Sequence, residues 1–351
     1  MKGNRWAGRA LRDRRGFALV AALWLLVALG AVGLHTALAS RARRQAAANL
    51  LDEVRARNAV VAGTEYARSR LTAAMVGRAE ELRAEAMERA RSSRSRRRMA
   101  TASVSRLFRS SDPLEDPWRE PQELIVPEMV FGDARYALLL RDVGAALNLN
   151  EADEEMLRQF FAQGIGLDYA DADELAQAIL DWRDEDELPR INGGEREEYL
   201  EEGALVLPPN RDFVDVDELR HVRGMTPEIY VAAAPHLTLI GDGQINLNSA
   251  PEPVLLALPG MDRGTVTQLL RLRESGVLPR SDTELRVLLP ESSIQSIEAR
   301  GRSFTNVRTY TTDQVEILAQ GWVDGGVVQV TSRVVVSRGT TEARVIWREV
   351  F

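Results

Sequence analysis

One stretch constrains this chain more than any other. Phe17 to Leu34, FALVAALWLLVALGAVGL, is 18 residues without a polar side chain. At the α-helical rise it spans roughly 27 Å, about the thickness of a bilayer's hydrocarbon core. Residues 1–16, MKGNRWAGRALRDRRG, precede it with six positive charges and one negative. A basic flank of this kind stays on the cytoplasmic side, so the pattern predicts one membrane span with the bulk of the chain outside. Two simpler readings compete: a cleaved secretory signal, with Ala37-Leu38-Ala39 before Ser40 as the cleavage motif, and a plain N-terminal anchor.

The residues beyond the span favour its continuation as helix. No proline occurs before Pro113, and residues 35–76 are rich in Ala, Leu, Arg and Glu. Leu51, Val54, Val61 and Ala62 recur near helical spacing, with Arg43, Arg44, Arg55 and Arg57 elsewhere. A single helix is expected from Phe17 to about Met75, weakened only at Gly63 by about 1 kcal/mol. Residues 77–122 read as a linker or insertion: 91–98 is arginine-rich and nearly devoid of apolar side chains, and Pro113, Pro117 and Pro121 follow. That composition predicts a solvated loop.

Composition excludes most chemistry. There is no cysteine, hence no disulfide framework, Cys-ligated zinc or thiol nucleophile. His35, His221 and His236 are too scattered to ligate a catalytic metal together, and Lys2 is the only lysine. No enzyme is expected. Charge is strongly partitioned: residues 1–111 carry 23 basic against 8 acidic side chains, a balance of +15, whereas residues 142–240 carry 7 against 24, a balance of −17. A basic front suits an anionic membrane leaflet, and an acidic middle repels nucleic acid and attracts cations.

The middle contains an internal repeat. Leu147-Asn-Leu-Asn150 and Ile245-Asn-Leu-Asn248 each open a segment of helical pattern, and Asn150 and Asn248 (or Ser249) are placed to cap the helices that follow. A weaker third copy runs from Asp215 to Met225. Between the copies lies an acidic hairpin, from Asp181 to Leu200. It holds Asp184 and Asp186 in a DxD arrangement, an Asn-Gly-Gly turn and a glutamate cluster. Hard oxygen ligands around a tight loop suit calcium, although Leu188 and Pro189 stand where an EF-hand needs oxygen and glycine. A solvated acidic face is the alternative.

Strands are expected at Leu124–Val126 and Arg135–Asp142, and at Gln314–Val323, Val327–Ser337 and Glu342–Val350. In the last group Val328, Val330, Val334 and Val336 share one face. An antiparallel meander packed on the long helix would bury them.

Two resemblances sharpen this reading. The junction Arg14-Arg15-Gly16-Phe17 resembles the class III leader of type IV pilins and pseudopilins, in which a prepilin peptidase cuts after the glycine and methylates the new N-terminal residue. Asp181-Trp182 with its acidic turn, Pro208-Pro-Asn-Arg-Asp-Phe213, Asp217-Glu-Leu219, Arg223-Gly-Met-Thr-Pro-Glu228 and Ile245-Asn-Leu-Asn-Ser-Ala-Pro251 are together similar to the type II secretion system protein K family. Their order is more specific than any one of them.

The resemblance implies an α+β fold: a pilin-like long N-terminal helix packed on an antiparallel sheet, with a large all-α domain of helix-hairpin-helix or SAM-like type inserted between strands. It divides the chain into a leader (1–16), the membrane and pilin helix (17–76), the arginine-rich linker (77–122), an α/β domain (123–142 and 304–351) and the inserted domain (143–303). It further implies an inner-membrane minor pseudopilin at the tip of a periplasmic pseudopilus, with minor pseudopilins I and J, the major pseudopilin and the prepilin peptidase as partners. Gly16 and Phe17 are then the processing site, and the insertion holds calcium, for which Asp184, Asp186, Glu195 and Glu198 are the expected ligands. Most pilins carry a glutamate five residues after the cut, to neutralise the terminal amine of the subunit above. Ala21 stands there in this chain, as suits a subunit with nothing above it. A further resemblance, of Leu258-Pro-Gly-Met261 and the following segment to DNA-binding helix-hairpin-helix motifs of competence receptors, offers a membrane-anchored DNA receptor as the alternative. The acidity of the region through residue 240 opposes it.

Overall fold

The computed structural model describes residues 10–90, 92–100, 104–109 and 112–351. Most of the leader and part of the arginine-rich segment therefore lie outside the described residues. Helix α1 (Ala10–Arg89) is unbroken for 80 residues, which is about 120 Å at the helical rise. It includes both Gly16 and Phe17. Its apolar part, from Leu19 onward, is long and hydrophobic enough to cross a membrane and is not buried by any other element.

The distal half of α1 is the spine of a hydrophobic core. Ala56, Ala59, Val60, Ala67, Leu71, Met75 and Ala79 form a buried stripe on it. Gly63 belongs to this contact and is no weak point: a Cβ there would stand 2.6 Å from Cδ2 of Tyr136, so only glycine lets that ring lie on the helix. The helix continues past Met75 because the core does. Ala79 is buried and Leu82 packs on the same cluster, while Arg78 pairs with Glu81 (2.9 Å) and Glu85 (3.3 Å).

The arginine-rich segment departs from the expected solvated loop. It contains two short helices, α2 (Ser93–Ala100) and α3 (Val104–Arg109). Val104, Leu107, Phe108 and Trp118 are buried against α1. The fully buried Arg338 side chain anchors this layer. Its guanidinium carbon lies 3.9 Å from the Phe108 ring centroid and 4.7 Å from that of Trp118, and Nη2 donates to both oxygens of Asp116 (2.5 and 2.6 Å). Trp118 Nε1 donates to the Leu71 carbonyl (3.0 Å), tying the layer to α1. A few apolar residues among many arginines are enough when each reaches the core.

The first strand is also displaced. Pro121–Leu124 form a 3-10 turn and Pro127, which cannot donate to a ladder, precedes β1 (Glu128–Phe131). β2 (Ala134–Asp142) lies as expected. Then come β3 (Leu147–Asn148), α4 (Glu154–Gln159), α5 (Tyr169–Arg183), α6 (Arg196–Glu201), α7 (Pro227–Ala233), β4 (Leu237–Thr238), β5 (Ile245–Asn246) and α8 (Glu252–Leu255). They are followed by α9 (Arg263–Glu274), α10 (Asp282–Leu288), α11 (Glu291–Arg300), α12 (Arg302–Asn306), β6 (Arg308–Thr309), β7 (Gln314–Val323), β8 (Gln329–Arg338) and β9 (Ala343–Val350).

The main sheet is antiparallel, in the order β1-β2-β7-β8-β9. β2 pairs directly with β7, from Ala134 opposite Val323 to Asp142 opposite Val315. The chain therefore leaves the sheet at the end of β2, builds the entire helical domain, and re-enters beside the point of departure. Val330, Val334 and Val336 of β8 are buried against α1, and Val328 packs at the edge of the same cluster. The helical domain has its own core, running from Leu147 to Tyr310 and including Phe304. It thus closes at β6, and the α/β unit resumes at Gln314 rather than at residue 304.

Asp142 holds the two crossings together. It is buried, and Oδ2 accepts from Asn246 Nδ2 (2.7 Å), Ser249 Oγ (2.6 Å) and Thr312 Oγ1 (2.9 Å), while Oδ1 accepts from the Gly144 N–H (3.0 Å).

Candidate metal centre in the inserted helical domain

The two Asn-Leu-Asn copies fold alike. Asn148 Oδ1 accepts from the Asn150 N–H (2.9 Å), and Asn246 Oδ1 from the Asn248 N–H (3.0 Å). β3 pairs in parallel with β4, and β5 in parallel with β6. The second asparagine of each copy is not the helix cap it was expected to be. Asn150 instead exchanges two bonds with the Phe213 backbone (3.0 and 2.9 Å). Asn248 donates to the carbonyls of Pro279 (2.9 Å) and Tyr310 (2.8 Å). Asp153 caps α4, accepting from the Met156 N–H (2.9 Å). The asparagines are spent on loops distant in sequence, where amide side chains satisfy buried backbone groups that nothing local can reach. Arg183, at the end of α5, donates to the carbonyls of Leu149 and Ala152, and Arg273, near the end of α9, to that of Ala250 (2.5 Å).

The acidic hairpin follows α5. Asp181 is fully buried and shapes it: Oδ2 accepts from the N–H groups of Arg190 (3.0 Å) and Gly194 (2.8 Å), and Oδ1 from the Arg190 guanidinium. A side chain at Gly193 would collide with Asp181 Oδ2. The same Arg190 holds Asp184 Oδ2 at 2.6 Å. The loop is therefore closed by protein groups alone.

What remains is a cluster of carboxylates, of which Asp186 is exposed and accepts from the Leu188 N–H (2.9 Å). Asp184, Asp186 and Glu195 each place a carboxylate oxygen within 4.8 Å of the others. Asp184 Oδ1 and both Glu195 oxygens are buried without a hydrogen-bond partner, and so is Asn210 Oδ1. Asn210 Nδ2 donates to the Asp186 carbonyl (2.7 Å), which brings residue 210 to the cluster, and its backbone has φ 49°. Burial first, then the charges of Asp181 and Asp184, push the Glu195 carboxyl up to about 7. Glu198 lies outside the group: one of its oxygens accepts from the Glu195 N–H (2.9 Å), at the start of α6. Nothing in the sequence distinguished Glu195 from its neighbours Glu197 and Glu198. Asn210 carried no signal beyond its place in Pro208-Pro-Asn-Arg.

Buried carboxylates without partners are costly. An array of hard oxygens of this width matches a divalent cation with Ca²⁺–O distances of 2.3–2.6 Å, whose opposite ligands lie about 5 Å apart. Asp184, Asp186, Glu195 and Asn210 are the side chains that fit such an ion.

The hairpin considered for DNA is closed. Leu258 and Met261 are buried, and a Cβ on Gly260 would stand 2.8 Å from the Ser296 carbonyl oxygen, so α11 covers the turn that would have to face a phosphate. Arg263 donates to the Gln163 carbonyl (2.9 Å), and Arg273 is bound to Ala250.

A helix of membrane-spanning length, continued as the spine of an antiparallel sheet and with an all-α domain set between adjacent strands, defines a pilin-like α+β protein. Residues 139–242 match the family described as type II secretion system (T2SS), protein K. The type II secretion system protein K of Klebsiella pneumoniae is 30% identical over 131 residues, covering 33% of this chain and 40% of that protein. That of Pseudomonas aeruginosa is 26% identical over 172 residues, 46% of this chain and 50% of that protein. The matched segments thus span two fifths to one half of these relatives' length. The crystal structure of the GspK-GspI-GspJ complex from enterotoxigenic Escherichia coli has a chain that superposes with a TM-score of 0.51 at 17% identity, covering 79% of this chain and 95% of that one. These matches agree with the resemblance read in the sequence: the segment around residues 139–242 is similar to type II secretion system protein K.

Proposed function

We propose that this chain is a minor pseudopilin that caps the tip of a periplasmic pseudopilus and supports export across the outer membrane. One observation carries the reading. A large helical domain projects from between two hydrogen-bonded strands of a sheet that rides on a membrane-length helix. A subunit of that outline can join other pilin helices through α1 and leaves no room for a second copy above its bulk. Ala21, where a filament subunit needs a carboxylate, points the same way. Processing after Gly16 would free Phe17 as the methylated N-terminus. Minor pseudopilins I and J are the proposed partners, since the similar solved chain is named for a complex with GspI and GspJ.

The inserted domain binds calcium through Asp184, Asp186, Glu195 and Asn210. The support is the buried, unpaired oxygens of Asp184, Glu195 and Asn210, with the exposed Asp186 carboxylate beside them. The ion replaces the missing partners and keeps Glu195 ionised, so its role is structural.

Mature N-terminal sequencing tests the assembly reading. Phe17, N-methylated, is the expected first residue; Ser40 would mean ordinary secretion and Met1 a simple anchor. Co-purification with I and J from a strain expressing all three is the second expected result, and detection of this chain along the shaft by cross-linking would overturn the tip assignment.

A further inference from the structure

We propose that Arg190 is the positioning residue of the candidate metal centre: its guanidinium ties Asp184 to the buried Asp181 and sets the hairpin in its ion-binding shape before any ion arrives. The inference rests on the calcium reading and adds to it a residue that touches no ion.

Three observations carry it. First, Arg190 is fastened to one buried carboxylate through both main chain and side chain. Its N–H donates to Asp181 Oδ2 (3.0 Å) and its Nη1 to Asp181 Oδ1. The same Nη1 lies 2.6 Å from Asp184 Oδ2, so a single nitrogen bridges the two carboxylates. Asp184 stands in extended backbone just past the last turn of α5 (ψ 165°), where no helical geometry directs its side chain. With Oδ2 pinned to Arg190, Oδ1 is the oxygen left over, and it is buried without a partner. Second, Asp181 Oδ2 also accepts from the Gly194 N–H (2.8 Å), which fixes the backbone immediately before Glu195. Two of the three clustered carboxylates, Asp184 and Glu195, are thus placed by the Asp181–Arg190 pair.

Third, the loop is built against the hydrophobic effect. Leu188 is 77% and Ile191 97% exposed, while Arg190 between them turns inward to its two carboxylates. Burial of apolar surface favours the reverse arrangement, so the ion pairs choose this one. The sign of the effect on binding follows. By charge alone a guanidinium beside a cation site repels the cation, and removing it would tighten binding. Asp181 offsets that charge. The anchor has no such substitute: among the described residues, no other side chain bonds to Asp184. Groups that orient a metal ligand from outside the coordination sphere contribute about 10–100-fold in affinity, so loss of Arg190 weakens binding.

Calcium binding is measured by isothermal titration of the detergent-solubilised full chain, and hydrogen exchange of the hairpin amides is followed in chelator. Arg190→Gln and Arg190→Lys are each made in the wild type and in Asp181→Asn. In that background Arg190→Gln strands no buried charge, and the amide oxygen still accepts from the main chain. Arg190→Gln should weaken calcium binding about 10–100-fold in either background. In chelator it should also speed exchange of the two amides bonded to Asp181 by about tenfold or more. Arg190→Lys, whose ammonium can donate to both carboxylates, should recover most of the affinity. A positive charge that strengthens the binding of a cation acts through geometry, because its Coulomb effect has the opposite sign. Calcium binding that is unchanged or tighter in Arg190→Gln overturns the role, as does equal weakening in Arg190→Lys. So does unprotected exchange at Arg190 and Gly194 in the calcium-free wild type, which would mean that the ion shapes the hairpin. If Arg190→Gln unfolds the wild-type chain, the pair made in Asp181→Asn decides. A wild type that takes up no calcium sinks the calcium reading and this role together; calcium binding indifferent to the substitutions at Arg190 sinks the role alone.

Discussion

Replacing Glu195 by glutamine should stabilise the calcium-free protein and destabilise the calcium-loaded one. Glu195 is 2% exposed, and neither oxygen has a hydrogen-bond partner. Its carboxyl is pushed to about 7 from an ordinary 4.5 by burial, with the charges of Asp181 and Asp184 adding to it. The folded state therefore holds this proton more tightly than the unfolded chain does. Stability from this group is complete below the unfolded value, falls as pH rises from 4.5 through 7, and stays low above that. At about 1.4 kcal/mol per pH unit of difference, the cost above pH 7 is about 3 kcal/mol. Glutamine has the same shape and never ionises. In calcium-free buffer near pH 8, Glu195→Gln should gain about 3 kcal/mol, roughly 6–12 °C in melting temperature for a domain of this size. Near pH 5 the gain should shrink to a small fraction. In millimolar calcium the order reverses, because the wild type gains the binding free energy and the variant loses a charged ligand. The assay is thermal unfolding of the detergent-solubilised full chain at two pH values, with and without calcium. Equal melting of the two proteins in calcium-free buffer at both pH values would refute the buried, unpaired carboxylate. Full calcium stabilisation of Glu195→Gln would remove Glu195 from the ligand set.

Asp184→Ala with Asp186→Ala should abolish the fall in melting temperature caused by chelation; an unchanged wild-type melting curve in chelator would sink the calcium reading altogether. Calcium affinity itself should fall about tenfold per pH unit below 7, as the Glu195 proton must leave for the ion to bind, and isothermal titration at several pH values measures this. Gly63→Ala should cost about 1–3 kcal/mol in chemical denaturation, since the new methyl stands 2.6 Å from the Tyr136 ring. Arg338→Met should cost about 3–5 kcal/mol, because it strands Asp116, which is 6% exposed, without its charge partner; a loss under 1 kcal/mol would contradict the buried pair.

Patterns that depend on period and length were legible in the chain alone. Eighteen apolar residues in a row specify a span whatever they later touch, and alternation in Gln314–Val323 and the valine-rich strand after it specifies a face. The strands found, Gln314–Val323, Gln329–Arg338 and Ala343–Val350, lie within two residues of the expected ones. Acidic density around Asp184 likewise marked where Asp184, Asp186 and Glu195 bring their carboxylates together. What tertiary structure alone decided was every role that depends on a partner far along the chain. Gly63 reads as a helix weakness until Tyr136 lies on it. Asn150 and Asn248 read as caps until Phe213, Pro279 and Tyr310 present backbone groups to them. Phe108 and Trp118 sit among arginines and prolines that predict solvent, and are buried because Arg338 and Leu71 meet them there. Glu195 and Glu198 share a type and a neighbourhood, and only burial separates the carboxylate that lacks a partner from the one that caps a helix. Local sequence encodes backbone preference and hydrophobic periodicity, which act over a few residues. Desolvation and hydrogen-bond satisfaction are set by whatever the folded chain brings alongside.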